Sequence, residues 1–192
     1  NTLDDYPDAK QALLDALKNS DKVVGRDTDA TPDSQGVTNW YPEADKAKQI
    51  APNFNDQLPL LQDALNKAQK STSDAAKKAY EAEKAKLDAL AQDVQDEPYA
   101  EAKATLRNTI SSIGDELERD LAAAGDDLDK QRKAYEKATQ ALKTANKDFE
   151  NAKIEKEKAK YEKEVGKLTQ LKDALSKYPD IQNQLQDALD SS

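Results

Sequence analysis

No proline interrupts the chain between Pro98 and Pro179, and that interval carries Ala, Leu and Tyr at three- and four-residue steps among dense Lys, Glu and Asp. Proline inside a helix costs about 3 kcal/mol and glycine about 1 kcal/mol. A stretch holding only Gly114, Gly125 and Gly166 is therefore free to form very long helices. Its apolar residues keep a helical period, which a random polar tract does not do. The expected fold class is all-α, an elongated antiparallel helical bundle or coiled coil with long helices.

Tyr6-Pro7-Asp8 opens a first helix, with proline at the first helical position where its missing N–H costs nothing, and the helix is expected to run to about Asn19. Residues 20–40, with Gly25, Pro32 and Gly36 among Asp, Thr and Ser, read as a loop. Disorder stays open for this segment, since low hydrophobicity with high charge is its signature. Tyr41-Pro42 opens a short helix that Pro52 ends. Asn55 or Asp56 then caps a longer helix, with Pro59 in its first turn. That helix continues through Leu61, Leu65, Ala68, Ala76, Tyr80, Leu87, Leu90 and Val94, with Ser71-Thr72-Ser73 as the place for a kink.

From Tyr99 the seam runs Ala102, Leu106, Ile110, Ile113, Leu117, Leu121 and Leu128, then Tyr135, Ala138, Leu142, Ala145, Phe149 and Ala152. Its later steps alternate three and four, as in a coiled coil. Gly125-Asp126 and Gly114-Asp115 both have the chemistry to end one helix and cap the next. The apolar phase continues across Gly114, so that glycine reads as internal and Gly125 as the favoured turn. Residues 153–164 are almost all charged, after which the seam resumes out of phase at Tyr161, Val165, Leu168, Leu171 and Leu175.

Two architectures compete. With a turn at Gly125, helices over 57–95, 98–124 and 126–153 make an up-down-up bundle. Without it, residues 98–177 form one helix of about 120 Å at about 1.5 Å per residue, with Tyr80 near Gly114. The bundle is preferred. The organisation is then 1–56, short helices and a loop; 57–177, a long-helix bundle; and 178–192, a terminal short helix that is a candidate start of a next repeat.

The repeat rests on Tyr6-Pro7-Asp8 followed by Leu13, Asp15, Ala16 and Leu17, which matches Tyr178-Pro179-Asp180 followed by Leu185, Asp187, Ala188 and Leu189 without a gap. Phe54-Asn55-Asp56 with Leu61, Asp63, Ala64 and Leu65 is a weaker third copy. Recurrent helix-start grammar explains this. A tandem module of about 170 residues is the sharper reading.

Composition narrows function. Apolar residues reach 36%, charged residues 35% and aromatics 5%, enough for a thin buried seam and too little for a thick core. A net charge of -9 with no basic cluster argues against nucleic acid as a partner. Cysteine, histidine and methionine are absent, which removes disulfides, thiol chemistry, soft-metal ligands and the commonest general base. No phosphate-cradling glycine loop is present, and the carboxylates sit beside lysines that oppose a raised pKa, so no catalysis and no cofactor is expected. No apolar run reaches the roughly 18 residues a membrane span needs, and the alanine-rich seam with mixed charges does not suit a lipid surface. No signal peptide or sorting signal is visible, and with Asn1 at its start the chain reads as a mature or excised fragment, any membrane attachment lying outside it.

Two local features invite a site. Asp27, Asp29, Thr31 and Asp33 alternate like the start of a calcium loop, but Pro32 and Thr38 stand where an EF-hand needs Gly and Glu. An Asx-turn loop is therefore expected. Trp40 and Tyr41, the one tryptophan and the one adjacent aromatic pair, either clamp the loop onto the helices or contact a partner.

The stretch Lys133-Ala134-Tyr135-Glu136-Lys137-Ala138 through Asn146-Lys147-Asp148-Phe149-Glu150-Asn151-Ala152-Lys153, with Lys160-Tyr161-Glu162-Lys163, resembles the α-helical regions of Gram-positive bacterial surface proteins, both adhesin stalks and three-helix binding modules. The resemblance is compositional and spans about residues 60–177. It implies an extracellular, cell-surface or cell-wall-attached protein used for adhesion, for binding a protein or glycan partner, or for spacing. It transfers no binding residue. An interaction module is expected first, with a purely structural stalk presenting another domain as the alternative.

Overall fold

The structure, a computed structural model, describes residues 3–42, 47–92, 98–175 and 177–191, with the backbone alone for 47–51. Among them it is all-α, with five helices: α1 (Pro7–Val24), α2 (Ala47–Gln92), α3 (Ala100–Ala124), α4 (Leu128–Ala174) and α5 (Pro179–Asp190). The chain divides into two compact units, Asn1–Glu81 with Leu117–Lys137, and Ala82–Glu116 with Ala138–Ser192.

In the first unit, α1 begins at Pro7 as expected but runs past Asn19 to Val24. The extra turn buries Ser20 and Val24 on the stripe that also buries Ala9. Gly25 stops the helix at φ +69°, its N–H donating to Asp21 O, a left-handed backbone that glycine adopts at little cost. The loop therefore starts at Gly25 and not at residue 20.

Pro52 does not end a short helix, because α2 runs unbroken from Ala47 with Pro52 and Pro59 inside it; residues 43–46, which the expected short helix would cross, lie outside the described residues. Each proline removes one intrahelical donor. Both are exposed, where water reaches the carbonyl that loses its bond. The division between residues 56 and 57 thus falls within α2. Ser71-Thr72-Ser73 does not break the helix either; Thr72 and Ser73 are buried, and Thr72 Oγ1 donates to Gln69 O at 3.0 Å. Val94 and the Glu97 reversal lie outside the described residues.

Gly125 is the turn. It adopts φ +54° and its N–H donates to Leu121 O at 3.1 Å, so the single-helix architecture does not form. The cap of α4 is Asp127, one residue beyond the expected Asp126, with the Lys130 N–H donating to its Oδ1 at 3.1 Å. Past the turn, Lys137 Nζ reaches back to Asp120 Oδ2 at 2.9 Å, so α4 returns antiparallel to α3.

In the second unit Leu87 and Leu142 are 0% exposed, and Leu106, Ile110, Ile113, Ala145 and Phe149 are buried with them. Each leucine buried in this way contributes about 1.5–3 kcal/mol. Gly114 is internal to α3, as expected. The pairing stays antiparallel: Thr109 shares a groove with Ala145 and Ala102 with Ala152, and the Tyr99 hydroxyl donates to Glu157 Oε1 at 2.7 Å. The charged stretch leaves α4 intact. Its resumed seam is covered only in part: Val165 and Leu175 are half-buried, whereas Tyr161, Leu168 and Leu171 are exposed, as is Ile154 within the charged stretch. Pairs such as Lys167–Glu164 at 2.6 Å line that segment, and such pairs support a solvated helix by a few tenths of a kcal/mol each.

Candidate functional site

The loop over 25–42, in the first unit, is folded on itself by side-chain carboxylates. Asp27 Oδ1 accepts the Asp29 N–H at 3.0 Å. Asp33 Oδ1 accepts two amides, Gln35 N–H and Val37 N–H, each at 2.9 Å. These are the Asx turns that short acidic side chains make with the backbone two residues on. Backbone bonds close the two limbs: Asp33 N–H donates to Val37 O at 2.9 Å and Asp27 N–H to Trp40 O at 2.8 Å, with an isolated bridge between Pro32 and Thr38. Asp27 and Asp33 thus have backbone partners, and no group of three metal-ligating side chains converges among the described residues.

Closure separates the two aromatics. Tyr41 is half-buried and meets Phe54 of α2 edge-to-face, with ring centroids 5.4 Å apart, so it is the clamp. Trp40 stays 41% exposed, with the Arg26 guanidinium 5.3 Å from its ring centroid. Arg26 also pairs with Asp21 at 3.3 Å. Val37 stands exposed on the same loop. Neither Arg26 nor Val37 was singled out from sequence; the signal for Arg26 was its place beside the helix-ending glycine as the first of only four arginines.

A second cluster joins α1 to α4. Arg132 is buried and bonds Asp129 Oδ1 at 2.7 Å and Glu136 Oε1 at 2.6 Å. The Tyr6 ring lies 6.0 Å from its guanidinium carbon, and the Tyr6 hydroxyl donates to Glu136 Oε1 at 2.7 Å. Burial, then the Glu136 carboxylate, pushes the Tyr6 phenol up to about 12. Hydrogen bonds from Lys133 and Arg132 hold Asp129 below its usual value, and the Lys130 backbone N–H does the same for the capping Asp127. These shifts favour ionised carboxylates and a protonated phenol, the states that hold a structural joint together.

In the second unit, a groove of about 160 Å³ is lined by Ala102, Thr105, Thr109, Ala145, Asp148 and Ala152 over Leu106 and Phe149. Ligand pockets are usually about 300–1,000 Å³, so this one reads as the gap left where small side chains face each other.

No protein family, curated protein or solved structure matches the chain. The loop geometry therefore carries the functional argument. No described helix is long and apolar enough to cross a membrane.

Proposed function

We propose that this chain is a non-enzymatic helical interaction module of a bacterial surface protein, engaging a protein or glycan partner outside the cell. The observation that carries the reading is an ordered loop that leaves Trp40 in water with Arg26 against its ring. Tryptophan and arginine are the residues most enriched where partners bind tightly, and a loop held on a rigid scaffold is where such residues act. Tyr41 supports the site as its anchor.

Trp40 is the single tryptophan, so its emission reports on this surface alone. Titration against a panel of glycans and serum proteins is expected to shift that emission for a binder, with binding, read by calorimetry for both proteins, lost in Trp40→Ala. Binding that survives Trp40→Ala opposes the reading.

A structural stalk is the second reading, favoured by the unbroken passage of α4 through its charged stretch to Ala174. Deleting residues 28–38 keeps α1 and buried Val24 intact and separates the two: lost binding supports the module, and unchanged binding supports the stalk.

A further inference from the structure

The aromatic contact that anchors the loop also joins it to an apolar row on α2. Tyr41 meets Phe54 edge-to-face, and Phe54 is itself exposed. At about 100° per residue, Leu58 and Leu65 fall within roughly 40° of Phe54 around the helix. Both are exposed, Leu58 by 63%. Asn53 Nδ2 donates to Val23 O at 3.3 Å, which brings the exposed Val23 to the N-terminal end of that row. Apolar side chains exposed singly are ordinary. A run of them that continues from an exposed tryptophan marks an interaction surface.

Charge on the loop has one sign. Residues 25–42 hold Asp27, Asp29 and Asp33 against Arg26 alone, and Arg26 is already paired with Asp21. The carboxylates of Asp27 and Asp33 accept backbone N–H groups, and none of the three aspartates has a cation partner among the described residues. Arg26 lies over one face of the Trp40 ring, and the exposed remainder of that ring attracts a further cation through its quadrupole. Acidic glycans are therefore repelled. Neutral glycans fit poorly too, because sugar hydroxyls set against Val23, Leu58 and Leu65 lose water without gaining a hydrogen bond.

We propose that the partner engaged at Trp40 is a protein segment combining lysine or arginine with apolar side chains. Its cations meet the loop aspartates and the open part of the Trp40 ring, and its apolar residues cover Phe54, Leu58 and Leu65. The inference rests on the Trp40 reading and narrows it from a protein or glycan to a basic, partly apolar stretch of protein. A lone amine does not suffice, since each exposed cation–π contact or ion pair is weak by itself. A chain that presents several cations together with apolar area adds these contacts to the burial of the α2 row.

The test selects binders to the full chain from a displayed library of random peptides. Recovered sequences are expected to be enriched in lysine or arginine together with leucine, isoleucine or phenylalanine, and to shift Trp40 emission. The Kd of a synthesised binder, read by calorimetry, should rise about tenfold in Trp40→Ala and in Leu58→Asp, and several-fold in Asp29→Lys. It should change little in Asp173→Lys, the same charge reversal on α4, which reports any general attraction between a basic peptide and an acidic chain. All four positions are exposed, and helical circular dichroism checks that each variant folds. Acidic or uncharged peptides that shift Trp40 emission and are lost in Trp40→Ala overturn the basic partner and leave the Trp40 site standing. Basic peptides indifferent to Trp40→Ala overturn both. Binding indifferent to Leu58→Asp, equal losses in Asp29→Lys and Asp173→Lys, or a library that yields no binder overturns the inference as well.

Discussion

The loop over 25–42 and the stretch of α4 over 153–174 both leave large apolar side chains in water, by different means. In the loop, Val37 and Trp40 are exposed while the backbone beneath them is closed by Asp27 and Asp33 and by bonds between the limbs. In α4, Ile154, Tyr161, Leu168 and Leu171 are exposed along a helix flanked by Lys–Glu pairs. The loop holds one surface in one shape through contacts distant in sequence. The helix makes cross-helix bonds such as Tyr99 to Glu157 and Lys172 to Gln186, but its large apolar residues Ile154, Tyr161, Leu168 and Leu171 record a period that stays exposed. Exposure of the first kind argues for recognition more strongly than exposure of the second.

The largest expected effect sets the covered part of α4 against the uncovered part. Leu142→Ala should destabilise by about 3 kcal/mol, as buried leucine truncations do, whereas Leu168→Ala should change stability by less than about 0.5 kcal/mol. Urea unfolding of both variants measures this, and equal losses would erase the distinction within α4.

Asp33→Ala sharpens the loop side. It removes the acceptor of two amides, each bond contributing about 1 kcal/mol net. The loss should be local: Trp40 emission and proteolysis within the loop change, while the helical signal does not.

Tyr6→Phe comes next, at about 1 kcal/mol for one hydrogen bond to a charged acceptor that remains partly solvated. The phenol also sets a pH dependence. Its folded value, raised from 10.0 to about 12, means that its contribution is fully present below pH 10 and is lost as pH rises toward 12, because the unfolded chain releases that proton first. Tyr6→Phe should flatten this alkaline loss in thermal melts.

Smallest is Glu164→Gln, which removes the partner of Lys167 on the exposed helix and should cost at most a few tenths of a kcal/mol. A larger loss would mean that the charged stretch is held by more than its own ion pairs.

Much of the helical order was legible from spacing alone. Leu106, Ile110, Ile113, Leu117, Leu142 and Phe149 were placed on the seam and are buried, and Gly125 turns the chain where the apolar phase allowed it. Periodicity shows which residues share a face but not whether anything covers it, so Tyr161 and Leu168 looked like core and are not. The continuation of α1 to Val24 and the passage of α2 through Pro52 were hidden for a related reason: tertiary packing and solvation of exposed prolines override local grammar. Arg132 was missed as a buried residue, although Asp129 and Glu136, three and four residues away, were its available signal. At the candidate site, Trp40 and Tyr41 were legible as a rare pair. Their division into an exposed ring and a clamp was not, because it depends on Arg26, Asp27 and Phe54 meeting them through loop closure.

The claim that matters most is that the loop is held in shape while it exposes Trp40. Backbone ¹⁵N relaxation tests this most directly. The account predicts order parameters for residues 27–40 near the rigid value of about 0.85, matching the helices, whereas values below about 0.6 across the loop would contradict it.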